Sequence, residues 1–429
     1  MIVHSPNRYL ATLLLVFFSI LQIRKTNKLC CTRDIFAPFA GYFVAHCIGC
    51  FAFIQHFSNL NNLAWACFNL STVVSAFALS VMLDKDDILS GLKLFIIVES
   101  GVLMAQYLIL AVKFGTIFVF SAYAGAGDAL GGTLFGFSSP LAVSLMMISL
   151  YFLFIRYSDN SVKNSLLYAA AAALFSTFPG MMSAVAVFCL TVALVFVAFS
   201  VRELFLMEIS RLTLFVIPVT FASLGILVFF LGENIEYMGN IFLLMLNFDN
   251  PPIKILAIQK YYQMIASNYS YLWVGSGLGN FTSRAGAMVS GQYFEHQPFF
   301  VSITPSTEMS KFILPFWNRG MFNEMVGGSI GNSMINEPFN LHLSVLAECG
   351  ILGFLIWETS QLIAAFRSLA SNNRSYFAIL VFSFGIFFTN DWLAYPNFAL
   401  VLFMLAKASS RFRSQIETRS VFSKGGLHE

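Results

Sequence analysis

Apolar stretches of about thirteen to twenty-seven residues recur along most of the chain, most of them separated by short polar breaks. Runs of that length and composition are what a helix needs to cross a bilayer. The pattern predicts helices near 9–23, 35–57, 62–83, 89–112, 139–155, 164–178, 181–200, 212–231, 340–366, 375–390 and 396–408. The expected fold is an all-α polytopic membrane protein with about eleven transmembrane helices (ten to thirteen if runs merge or split). Three regions follow: an N-terminal bundle of about eight helices over 1–231, a long loop over 232–339, and C-terminal helices with a basic tail over 340–429.

Composition sharpens this picture. The 429-residue chain is 58% hydrophobic and only 10% charged, where a soluble domain carries about 25% charged residues. A single water-facing globule cannot hide so much apolar surface. The net charge of +3 is too small to suggest a nucleic-acid partner. The N-terminal apolar run lacks a small-residue cleavage site and is followed by RKTNKLCCTR, which reads as a retained helix rather than a signal peptide.

Lys and Arg cluster in RKTNK, in the loop after 155, in VRELFLMEISR, in RSLASNNR and in the tail. By the positive-inside rule these face the cytoplasm, which puts the N-terminus, the stretch 114–138 and the long loop on the other side. That loop is too long for an ordinary connection, and its Phe, Tyr, Trp and Ile content suits a folded surface element. Within it, NPPIKILAIQKYYQMIASN predicts a helix with Ile255, Ile258, Tyr262 and Ile265 at helical spacing, capped by Asp249 or Asn250. The stretch 114–138, rich in Gly and Ala, is expected to pack beneath the loop. In helix 89–112, Lys93 and Glu99 lie on different faces and make no obvious pair.

Two stretches carry candidate chemistry. WVGSGLGNF alternates Gly275, Gly277 and Gly279. The spacing is not a dinucleotide fingerprint, and no Gly-Lys-Ser/Thr of a phosphate loop is present. Either the glycines let backbone lie close to a helix, or they free backbone N–H groups for an anionic diphosphate. The second stretch, NEPFNLHLSVLAECGILGFLIW, runs from a polar shoulder into a helix with Glu348 inside it. A carboxylate at that depth should face protein and be paired or protonated. CIGC at 47–50 has no second ligand pair and reads as helix packing.

In this order the two stretches resemble the O-antigen polymerase and ligase (Wzy-like) superfamily of integral membrane glycosyltransferases. In that family a G-x-G-x-G turn precedes a variable loop and a helix of the form Asn-x-x-Leu-x-x-x-x-Glu-x-Gly-x-x-Gly, matched here by Asn340, Leu343, Glu348, Gly350 and Gly353. GFSSPLAVSLMMISLYFLF and STFPGMMSAVAVF resemble the starts of two middle helices. The resemblance runs over about 130–360. Ligases of the family carry His before the Asn, where this chain has Phe339, so the likeness is greater to the polymerases.

The resemblance implies a GT-C-like, metal-independent and cofactor-free enzyme of the bacterial inner membrane with a periplasmic loop. It would join polyprenyl-diphosphate-linked oligosaccharides beside a flippase and a chain-length regulator. Such a reaction needs cations for the diphosphate leaving group. Arg284 and Arg319 are the favoured catalytic cations, with Lys254, Lys260 and the three glycines on the substrate side together with Asn340. His296, His342, Glu295 and Glu324 are candidate bases for the acceptor hydroxyl, while Glu348, Gly350 and Gly353 would support the site. A ligase and a lipid-linked oligosaccharide flippase are the competing functions.

Overall fold

A computed structural model describes residues 33–55, 60–119, 129–134, 138–155, 164–179, 181–205, 253–281 and 340–409. The predicted helices 9–23 and 212–231 lie outside these residues, as does the proposed cap at Asp249 or Asn250. Among the described residues the structure is helical, with no strand. In chain order the helices are α1 (Arg33–Gln55), α2 (Leu60–Met82), α3 (Lys85–Phe114), α4 (Ser138–Ile155), α5 (Ser165–Ser176) and α6 (Met182–Phe205). They continue with α7 (Ile253–Ser267), α8 (Ser270–Val274), α9 (Leu341–Ala370), α10 (Arg374–Ile386) and α11 (Pro396–Ser409). The other nine predicted apolar runs are each occupied by one of these helices, and α7 falls where the loop helix was expected.

Four helices among the described residues are long and apolar enough to cross a membrane: α3, α4, the stretch Ser183–Glu203 of α6, and α9. Their burial separates centre from periphery. The apolar window of α4 is 89% buried, whereas that of α3 is 17% buried. A helix apolar on every side is stable only when enclosed, by protein or by lipid. The first condition is met by α4, which packs on α5, α6, α10 and α11. On α3, Leu94, Ile97, Leu108, Ile109 and Val112 point outward, a face that lipid would cover.

The sequence expectation fails in two respects. The runs at 164–178 and 375–390 contain helices of only 12 and 13 residues. At 1.5 Å per residue these span about 18–20 Å, less than the ~30 Å hydrocarbon core. Helix α5 stops just before the Phe178-Pro179 step, because the residue preceding a proline is driven out of the α region. The run at 340–366 is not one straight span either. Gly350, inside α9, has φ 69° and ψ −179°, which breaks it into an outer arm, 341–349, and an inner arm, 351–370. His342 and Glu358 lie eight residues to either side of the break, and their side chains are 2.5 Å apart. In a straight helix 16 residues correspond to about 24 Å. The arms are therefore folded toward one another.

The inner arm is held by close helix packing. Gly41, Ala45 and Gly49 repeat every fourth residue on α1. An added Cβ at Gly41 would strike Ser360, and one at Gly49 would come within 2.7 Å of Leu278 and 3.1 Å of the Cys349 sulfur. At Gly353 it would lie 3.3 Å from the Ala45 carbonyl. Small residues on both helices let the backbones approach, the usual basis of helix pairing in lipid. The stretch 114–138 contributes a 3-10 turn, Gly132–Leu134, that docks on α3. Glu99, buried there, accepts from the Thr133 N–H at 2.9 Å and from the Thr133 hydroxyl. Gln106 donates to the Gly132 carbonyl at 3.0 Å and accepts from its N–H at 2.9 Å. Lys93 instead faces the Tyr168 ring at 5.7 Å.

At the opposite chain end of the bundle, Arg374 opens α10 and pairs with Glu203 near the end of α6, both buried, with the guanidinium 5.1 Å from the Phe199 ring. Removing one partner strands a buried charge, at a cost of about 3–5 kcal/mol. Arg374→Met or Glu203→Gln should each lower the melting temperature of the purified protein by several degrees. The double variant should recover part of the loss, a coupling that a double-mutant cycle reads directly.

Candidate functional site

Helix α8 ends at Gly275, whose φ of 79° and ψ of 178° fall in a region open essentially only to glycine. Gly350, the break in α9, takes nearly the same dihedrals. The two glycines face each other. An added Cβ at Gly275 would strike the Glu348 carbonyl and the Cys349 nitrogen; one at Gly350 would strike the Trp273 carbonyl and the Gly275 nitrogen. Two backbones are in contact here with no side chain between them.

Hydrogen bonds then tie the glycine turn to the broken helix. The outer arm ends at the break, so its last carbonyls lose the partners a continuous helix would give them. The Ser276 N–H supplies the Ala347 carbonyl at 2.8 Å, and the Gly277 N–H supplies the Glu348 carbonyl at 3.1 Å. The Ser276 hydroxyl adds a second bond to the Ala347 carbonyl at 3.1 Å. The Glu348 side chain reciprocates. Its Oε2 accepts from the Gly279 N–H at 2.7 Å and its Oε1 from the Phe281 N–H at 3.1 Å. The turn is thus a C-terminal cap supplied from about seventy residues away, and Glu348 is the clamp that closes it. The N–H groups of Ser276, Gly277 and Gly279 are engaged within the protein, which removes them as a cradle for a diphosphate.

Beside this junction α7 forms a small apolar cluster with the outer arm: Ala257, Tyr261, Met264, Phe281, Leu343 and Ala347. The buried face of α7 is therefore 257–261–264, with Ile265 packed partly buried against it. Ile258 and Tyr262 are exposed, as are Tyr269 and Trp273. Burial pushes the Tyr261 phenol up to about 12, with neighbouring Tyr262 adding to the effect; it stays neutral and is no base.

The other candidates are scattered. Asn340 caps the outer arm, its side-chain oxygen accepting from the Leu343 N–H at 3.1 Å. Lys254 donates to the Thr389 carbonyl at 2.7 Å, pinning the start of α7 to the turn after α10. Lys260 reaches Gln263 at 2.9 Å. Gly353 packs against α1. Arg284, Glu295, His296, Arg319 and Glu324 lie outside the described residues. Among the described residues no three His, Cys, Asp or Glu side chains gather as a metal site would require.

His342 sits in a setting the sequence did not signal. Phe354, Trp357, Phe384, Phe387 and Phe388 surround its ring. Its Nε2 is 2.9 Å from the Phe384 carbonyl, which can only accept, so that nitrogen carries a hydrogen. Its Nδ1 is 2.5 Å from Glu358 Oε1. Buried and with both nitrogens engaged, His342 has no free nitrogen for an acceptor hydroxyl. Glu358 and Gln361 were missed as well; polar side chains inside the run ILGFLIWETSQLIAAF were the available signal.

Comparison with models of known protein families, with curated proteins and with solved structures returns no match.

Proposed function

We propose that the protein is a membrane glycosyltransferase that polymerises polyprenyl-diphosphate-linked oligosaccharide units on the extracytoplasmic face of the bacterial inner membrane. The observation that supports this reading is the meeting of two motifs. The G-x-G-x-G turn and the helix Asn340–Gly353 carry the family resemblance together, by their order in the sequence. In the folded chain they form one junction, with Gly275 on Gly350 and Gly279 on Glu348. A motif pair that resembles a family by order alone would have no reason to interlock. In sequence the segment 282–339 lies between the two motifs, and Arg284 and Arg319 within it are the proposed cations for the leaving diphosphate. The donor and acceptor would both be lipid-linked, and a flippase and a chain-length regulator would act beside the enzyme.

The break in α9 also suits a second reading. Transporters place substrate sites at discontinuous helices, and a lipid-linked oligosaccharide flippase is that alternative. The surface glycolipids of cells lacking the gene separate the functions. Polymerase loss leaves lipid A core bearing a single repeat unit, the expected result. Bare core with long chains held on the carrier indicates a ligase. Bare core with single units held on the inner leaflet indicates a flippase and overturns the proposal.

A further inference from the structure

A cavity of about 50 Å³ lies between α1, α2, α9, α10 and α11, bordered by Tyr42, Trp357, Gln361, Tyr376, Ser383 and Phe387 among others. Its lining positions on α10 continue from Tyr376 through Leu380 to Ser383, one face of that helix, so the space is drawn out along the helix axis. The walls are chiefly aromatic and aliphatic; besides the tyrosines Tyr42 and Tyr376, two polar side chains border it, both more than nine-tenths buried: Gln361 at 6% exposure and Ser383 at 2%. Gln361 Nε2 and Ser383 Oγ have no hydrogen-bond partner among the described residues. One helical turn from Gln361, Glu358 Oε2 is likewise without one, while Glu358 Oε1 holds His342. The His342 ring rests on Trp357 and Phe387, two of the cavity's wall residues.

A buried amide or hydroxyl without a partner is costly, and native interiors almost always satisfy such groups with protein or ordered water. A purely apolar void of this size stays dry, whereas one with donors and acceptors on its wall fills. The space of about 50 Å³ has room for about two waters.

We propose that this cavity is an internal hydration site, with water bound to the Gln361 amide and the Ser383 hydroxyl inside the helical bundle. The water satisfies Gln361 Nε2 as an acceptor and Ser383 Oγ as donor or acceptor. It lies against the aromatic wall behind the His342–Glu358 pair. The site is separate from the glycine junction and does not depend on which lipid-linked reaction the protein performs.

The sign of a stability change tests it. Gln361→Met and Ser383→Ala each remove a polar group with little change in volume. In a hydrated cavity either substitution removes one of the water's hydrogen-bond partners and weakens its hold on the other polar side chain. Purified full-length protein should then lose about 2 °C or more in melting temperature with each variant. In a dry cavity the native groups are already stranded, and replacing either with an apolar one leaves the melting temperature unchanged or raises it. That outcome overturns the proposal. Should Gln361→Met fail to fold, Ser383→Ala, the smaller change, decides alone. Experimental density gives a second readout: a peak within hydrogen-bonding distance of Gln361 Nε2 or Ser383 Oγ is expected, and a map resolving other ordered waters but none here overturns the site.

Discussion

Replacing Gly350 with alanine is expected to abolish the stable fold of this protein. The residue sits at φ 69° and ψ −179°, where a Cβ is strained before any neighbour is considered, at about 1–3 kcal/mol. The neighbour makes the cost larger. The added carbon would meet the Trp273 carbonyl and the Gly275 nitrogen, and backbone cannot rotate aside as a side chain could. Gly275→Ala should fail in the same way, because its Cβ meets the Glu348 carbonyl. The double variant should be little worse than either single one, since separating the two backbones once relieves both clashes. Gly101 is the control: it lies in α3 with nothing within 4 Å of an added Cβ, and alanine there removes a helix-interior glycine, a change of about 0.5–1 kcal/mol in favour of the fold. Monodisperse yield after detergent extraction and melting temperature read all four. A Gly350→Ala protein that is monodisperse and melts with the parent would mean the two backbones do not touch.

The junction also shows where the sequence is legible and where it is not. Apolar runs reveal that helices exist, because burial in lipid or protein demands apolar side chains whatever the tertiary structure. They do not reveal where a run is broken. The residues on either side of Gly350, LAEC and ILGF, continue the same helical pattern, and the break is fixed by a glycine about seventy positions earlier. Run length misleads similarly at α5 and α10, whose flanking residues are apolar enough to extend the run but end in turns; Thr389 there binds Lys254. On α7 the spacing of Ile255, Ile258, Tyr262 and Ile265 announces a helix but not its buried face, which is 257–261–264 and is set by contact with the outer arm. The sequence singles out the glycine turn and Glu348 as separate features, and only their contact says what each does for the other. Glu358 and Gln361 stand in the sequence as polar residues in an apolar helix. Their surroundings come from α1 and α10, which no local pattern connects to them.

Glu348 offers the sharper test of what the junction is for. Its two carboxylate oxygens each accept a backbone N–H, from Gly279 and Phe281. Ionised carboxylate is the side-chain group of this length that accepts at both positions. Glutamine accepts at one and would present its NH₂ to a second N–H, donor against donor. Glu348→Gln is therefore expected to behave nearly as badly as Glu348→Ala, each leaving at least one buried N–H without a partner at about 1–3 kcal/mol or more. Both variants should lower the melting temperature, and activity per folded molecule at permissive temperature should remain within a few-fold of the parent. A carboxylate acting directly on substrate gives the opposite split: Glu348→Gln would keep the melting temperature and lose turnover by a factor of about 10² or more. The repeat-length distribution of surface polysaccharide, normalised to the amount of folded protein in the membrane, distinguishes the two. The clamp reading makes Glu348 a group that holds the fold, and under the proposed function the chemistry would then fall to other residues.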